Sequence, residues 1–170
     1  MTLTRLVRLE DAAALAQLQQ DNRDFLARWD PVRAPGFFTD DGQRSLIEVA
    51  LHLYEQGVAV PHVIVCGERI VGRINLNSVV RGAFQSCSMG YWLSETDNGR
   101  GLATSAVREM VELAFDELRL HRVEAGTLLD NVASQRVLER NGFVRFGVAP
   151  KYLNIAGQWQ DHALYQRLAA

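Results

Sequence analysis

The stretch Tyr91-Trp92-Leu93-Ser94-Glu95-Thr96-Asp97-Asn98-Gly99-Arg100-Gly101-Leu102-Ala103-Thr104 ends a strand and opens a helix across two closely spaced glycines. Upstream, Phe84 to Leu93 reads as a strand. Downstream, Ala103, Ala106, Val107, Met110, Val111, Ala114 and Leu118 recur on one helical face. Glycine lets the backbone approach a ligand closely and adopt unusual dihedrals, while the N–H groups and dipole at a helix start favour an anion. The turn therefore suits a phosphate. The bland alternative is that Gly99 and Gly101 only accommodate a tight strand-to-helix connection. Two nucleotide-binding patterns fail: no G-x-x-x-x-G-K-[ST] occurs, and a dinucleotide fingerprint lacks its third glycine and its doubly wound context.

Working outward, Leu3 to Leu9 alternates as a half-buried strand, and Glu10-Asp11 opens an alanine-rich helix to about Gln20. A short helical piece, Arg23 to Trp29, precedes the Pro31 to Pro35 loop, and a helix is expected from Asp40 to Gln56. Then come strands His62 to Cys66, Arg69 to Val80 and Phe84 to Leu93, an antiparallel meander. After the glycine turn and its helix, Arg122 to Leu129 reads as a strand and Asn131 to Asn141 as a helix stopped by Gly142. Phe143 to Val148 and His162 to Leu168 read as the last strands. The order is β-α-α-α-β-β-β-α-β-α-β-β. A strand, a crossover helix and a further strand favour a right-handed parallel pair inside a mixed sheet.

The composition fits one globular domain spanning residues 1–170, with 48% apolar residues and four prolines. A net charge of −2 gives no electrostatic footprint for nucleic acid. No apolar run reaches membrane-spanning length and the first ten residues lack signal-peptide order, so a cytoplasmic location is expected. Cys66 and Cys87 form no framework, and the four histidines show no metal-ligand grouping, so no metal is expected.

The glycine turn resembles the [Q/R]-x-x-G-x-[G/A] pyrophosphate loop of the GNAT superfamily of N-acetyltransferases, with Asn98 first, Gly101 fourth and Ala103 sixth. Asn98 replaces the usual Gln or Arg. Asn131-Val132-Ala133-Ser134-Gln135-Arg136-Val137-Leu138-Glu139-Arg140-Asn141-Gly142-Phe143 is similar to the N-x-x-S-x-x-V-L-E-[K/R]-x-G-F signature of the RimJ/RimL branch. Supporting segments are Phe25 to Arg33, Asn77 to Phe84 and Gly157 to His162. The resemblance implies an α/β (α+β) GNAT fold: a twisted, mixed, mostly antiparallel sheet of about seven strands, helices on both faces, and a splayed central parallel pair. It also implies acetyl-CoA as donor. The acceptor it suggests is a primary amine, the N-terminal alanine of a ribosomal protein in the first instance. A small-molecule amine (antibiotic or polyamine) and a noncatalytic CoA-binding ribosome-assembly factor are the alternatives. The assembly expected is a monomer or homodimer without nucleic acid.

In that frame the cofactor contacts are Leu93, Asn98, Gly99, Arg100, Gly101, Leu102, Ala103, Thr104, Asn131, Ser134 and Arg140. Leu93 is expected to offer the oxyanion-stabilising N–H, and Arg100 and Arg140 to meet phosphates. Asn131 suits two roles, helix N-cap and pantetheine contact. Many relatives place an acidic tyrosine farther along this helix, where Leu138 stands here, so Ser134 becomes the candidate proton donor. Glu124, in phase with Gly126 and Leu128, is a possible base, and a structural ion pair is equally compatible with it. An α-amine of pKa near 7.8 is about one-quarter neutral near pH 7.4, against roughly 0.1% for lysine, so an N-terminal acceptor needs little help from a base. Asn75 and Asn77 share a strand face and, with Tyr91, are assigned to substrate binding. Trp29, Phe37 and Phe38 suit a groove wall or core, and Arg81 a turn or an anion. Asp161 and His162, adjacent on a strand, point apart and make no dyad.

Overall fold

A computed structural model describes residues 2–170. Its sheet has seven strands, β1 (Thr4–Leu6), β2 (Val60–Cys66), β3 (Arg69–Val80), β4 (Ser86–Leu93), β5 (Arg122–Leu128), β6 (Val144–Ile155) and β7 (Gln158–Leu168), in the order β1-β2-β3-β4-β5-β7-β6. All neighbours are antiparallel except β4 and β5. The expected element order is observed, as are the mixed sheet and its parallel pair.

Helices α1 (Ala12–Asp21) and α3 (Asp40–Glu55) cover one face, where Leu15 and Ile47 pack on Val63 and Ile70. Between them lie α2 (Arg23–Leu26) and a turn of 3-10 helix over Pro35–Phe38. The opposite face carries α4 (Leu102–Glu112) and α5 (Val132–Arg140). Here Ala106, Val107, Met110, Val111 and Ala114 are almost wholly removed from solvent against β3, β4 and β5. These are the apolar positions of the helical face that follows the glycine turn. At its end α4 widens into one π-helical turn, Leu113–Glu117.

Several boundaries differ from the sequence expectation. The first strand stops at Leu6, because Leu9–Asp11 winds into a 3-10 turn whose Asp11 carboxylate receives the Arg8 amide (2.8 Å) and the Arg5 guanidinium (2.8 Å). The piece starting at Arg23 leaves helix after Leu26, and β4 begins at Ser86 because Gln85 has φ 42°. The largest difference is the last hairpin. Its strands meet at a two-residue turn, Ala156-Gly157, with φ 51° and 81°, the geometry of a twisted hairpin turn. Alanine is a poor turn signal, and register shifts between Arg145 and Gly147 and between Ala149 and Leu153 break the alternation that would have marked β6 as one strand.

Candidate active site

The parallel pairing of β4 with β5 covers only Ser86–Ser88 against Arg122–Glu124, although the strands run on to Leu93 and Leu128. Beyond that rung the two strands part and leave a gap in the sheet. The backbone lining it follows from strand alternation. Ser94 donates its amide to Val71 O at 2.8 Å, toward β3. Successive residues of a strand turn their amides to opposite sides, so Leu93 and Tyr91 direct theirs toward the gap. Leu93 thus has the backbone orientation that an oxyanion donor needs. Gly72 keeps this register, since a Cβ there would overlap the Trp92 carbonyl oxygen.

The loop leaving Leu93 is built from inside. Asp97, 1% exposed, accepts two hydrogen bonds from Arg69 (3.0 and 2.8 Å) and one from Arg100 (3.0 Å). The Arg69 guanidinium, helped by Arg100 and opposed by burial, holds the Asp97 carboxyl below the ordinary carboxylate range. Asn98 donates its amide to Ser94 O at 2.9 Å. The one position of the loop that departs from its family pattern therefore closes its own turn. Gly99 and Gly101 have φ 75° and 78°, and the space where side chains would stand is open. Gly101 is the N-cap of α4 in left-handed conformation, and no side chain caps the helix. Leu102, Ala103 and Thr104 form the first turn, with their amides at the helix start. A diphosphate fits this cradle: backbone donors, an uncapped positive helix end and no obstructing Cβ.

Helix α5 supplies the other wall. Asn131 Oδ1 accepts the Ser134 amide at 3.1 Å, so its N-cap role is realised while its amide NH2 remains available. Ser134, one turn in, lies 2.8 Å (Oγ) and 3.2 Å (O) from the Tyr91 hydroxyl. At the far end Gly142, φ 74°, terminates the helix, and Asn141 donates to Thr104 O at 3.1 Å. Arg140, the last residue of α5, is exposed to solvent.

Other expected site residues lie elsewhere. Asn75 and Asn77 do share a face, but it is the α1/α3 face, opposite in the register of β3 and β4 to the face where Tyr91 packs. Tyr91 is therefore on the Ser134 side of the sheet, away from the asparagines. The Asn75 Oδ1 is buried without a partner. Glu124 stands at the closed end of the gap, with Arg122 at 3.6 Å. Arg81 is a turn residue bonded to Gln85 and to the Leu118 carbonyl. Asp161 accepts the Lys151 amide at 2.9 Å and fixes a bulge, whereas His162 is buried against Tyr152. Phe37 and Phe38 line a cavity of about 180 Å³ with Arg23, Asp30 and Arg33, the arginines stacked on their rings. Trp29 packs under Arg28 instead. Among the described residues no group of three or more His, Cys, Asp or Glu side chains could hold a metal, and no helix is long and apolar enough to cross a membrane.

Three supports escaped the sequence reading. Asp97 was detectable only as an i,i+3 partner of Arg100. Asn22, whose Oδ1 accepts the Glu95 amide at 2.8 Å, and Asn141 act across distant segments and leave no local pattern.

Comparison with known proteins agrees with this geometry. The family model described as "Acetyltransferase (GNAT) domain" matches residues 1–144. The "Probable N-acetyltransferase YjcK" of Bacillus subtilis is 39% identical over 93% of this chain and 88% of its own length. The [ribosomal protein uS5]-alanine N-acetyltransferase of Escherichia coli is 33% identical over 95% of this chain and 84% of its own. The structure of Mycobacterium smegmatis RimJ in complex with CoA-disulfide superposes with a TM-score of 0.95 at 30% identity, covering 98% of this chain and 81% of that one. The chain belongs to the GNAT acetyltransferase family and is an N-acetyltransferase of the RimJ type.

Proposed function

We propose that this enzyme moves an acetyl group from acetyl-CoA to a primary amine, and that the amine is the N-terminal alanine of a ribosomal protein. The observation that carries the reading is the gap between β4 and β5, with the Leu93 amide turned into it and the glycine cradle at its mouth. Acetyl-CoA supplies an activated acyl group as a thioester. The amides from Gly99 to Thr104, with Arg100 and Arg140, hold its diphosphate end, and the Asn131 amide contacts its pantetheine arm. Leu93 donates to the acetyl oxygen as negative charge develops there. Ser134 donates to the sulfur. The amine arrives from the opposite face past Asn75, whose unpaired Oδ1 accepts an N–H.

No side chain is needed as base for such an acceptor. Glu124 faces Arg122 at the closed end of the gap, far along the strand from Leu93. A free α-amine loses its proton to water near neutral pH, which a lysine does not. The cavity beside Phe37 and Phe38 carries two arginines against one aspartate, a charge balance that disfavours a polyamine. The reading of the relatives as protein acetyltransferases supports a peptide acceptor.

Mass spectrometry of reactions with alanine- or serine-starting peptides, aminoglycosides and polyamines tests the proposal. Acetylation of the peptides is expected. Acetylation confined to the drugs or polyamines overturns the acceptor class.

A further inference from the structure

The bond between Tyr91 and Ser134 spans the gap where β4 and β5 have parted, joining an open-section strand residue to the first turn of α5. Nothing in the fold requires a phenol there: the ring already packs on the core, and its hydroxyl spends its contact on one serine. Burial pushes the Tyr91 phenol up to about 12, only partly offset by the Ser134 bond, so it keeps its proton under working conditions. A protonated phenol has one hydrogen and two acceptors in reach. If that hydrogen goes to Ser134 O, at 3.2 Å, the serine proton is spent on the phenol oxygen. If it goes to Ser134 Oγ, at 2.8 Å, the serine proton is released to point elsewhere.

We propose that Tyr91 is a positioning residue: its O–H donates to Ser134 Oγ and thereby turns the serine's own proton onto the departing sulfur. This rests on the acetyl-transfer reading above. As the carbon–nitrogen bond forms and the carbon–sulfur bond breaks, sulfur leaves with the electron pair. The amine proton passes to water. Tyr91 and Ser134 both retain their protons and act as a chain of two donors, each hydrogen bond polarising the next. The serine, a feeble acid, is not asked to ionise.

The decisive experiment titrates the thiol of stoichiometrically bound CoA by thiolate ultraviolet absorbance, for the wild type, Tyr91→Phe, Ser134→Ala and the double variant. The wild type is expected to lower the bound thiol's pKa below that of free CoA, and each variant to raise it by about one unit. The double variant should match Ser134→Ala. In turnover, Tyr91→Phe should lower kcat about tenfold with the acetyl-CoA KM unchanged, and add nothing to Ser134→Ala. A role confined to packing would change thermal stability and leave the thiol pKa in place. An unchanged thiol pKa in Tyr91→Phe, or losses that multiply in the double variant, overturns the proposal. Should the phenylalanine variant fold poorly, a fluorotyrosine at position 91 keeps the ring and strengthens the donor. It should lower the thiol pKa further, and no movement overturns the idea equally. Failure of the wild type to acetylate any amine would instead sink the acetyl-transfer reading, and the CoA titration would still report on the pair.

Discussion

The donor side and the acceptor side of this sheet are built differently. On the donor side, nearly every polar group that shapes the loop is paired: Asp97 with two arginines, Asn98 with Ser94 O, Asn141 with Thr104 O, Asn131 with the Ser134 amide. On the acceptor side, Asn75 Oδ1 lacks a partner, and two residues at the β6–β7 hairpin, Val32 next to it and Tyr152 beside His162, stay exposed. The tip of that hairpin touches the Asp30–Val32 loop, where the Ala156 amide donates to Asp30 O at 2.9 Å. A site that takes one invariant donor molecule gains from rigidity, because a pre-positioned contact loses no freedom on binding. A surface that meets a peptide keeps its apolar groups and unpaired acceptors available.

The contrast breaks most visibly at Asp97. Asp97→Ala removes the shared partner of two half-exposed guanidinium groups under the cradle, and should cost about 2 kcal/mol in urea unfolding, with a clear rise in the acetyl-CoA KM. An unaltered KM would show that the loop does not depend on its buried carboxylate. The same group sets a pH dependence. Its folded pKa lies below the ordinary value, so its stabilisation is present above that value and is lost as pH falls through the folded pKa. Asp97→Asn should therefore flatten the acid limb of the stability curve, measured by thermal melts across pH.

A smaller effect is expected at Ser134. Ser134→Ala removes one donor to the sulfur, so kcat should fall about tenfold, a loss near 1.4 kcal/mol in the barrier, with the acetyl-CoA KM within about twofold. Steady-state kinetics at saturating acceptor read this directly. Smallest in stability is the acceptor side. Val32, 76% exposed at the rim of the Phe37–Phe38 cavity, should tolerate alanine within about 0.5 kcal/mol. Its mark should appear in the peptide KM alone, and a matching change in the acetyl-CoA KM would erase the division between the two sides.

The same division governed what could be read from the chain. The donor side is legible because its requirements are local: glycines where φ is positive, an apolar stripe at helical spacing, an asparagine cap followed by a serine one turn later. The element order and the parallel pair were legible too, since periodicity and the crossover rule suffice. Contacts between distant segments were not. The Tyr91–Ser134 bond joins residues 43 apart, and Arg69 meets Asp97 across 28. Neither separation leaves a pattern. The sidedness of Tyr91 also depended on register, because a residue in a strand faces one side or the other according to its pairing. The hairpin extent was hidden by bulges and by an alanine in a position where turns usually carry asparagine or aspartate.

Acceptor choice is tested most directly by comparing kcat/KM on one peptide that starts with alanine and contains a lysine, with its α-amine free and with it blocked. Without an enzymic base the free α-amine should be preferred by about a hundredfold or more, following the neutral fraction of the two amines. Equal rates on the free and blocked peptides would contradict N-terminal acetylation and make lysine, or amines at large, the acceptor.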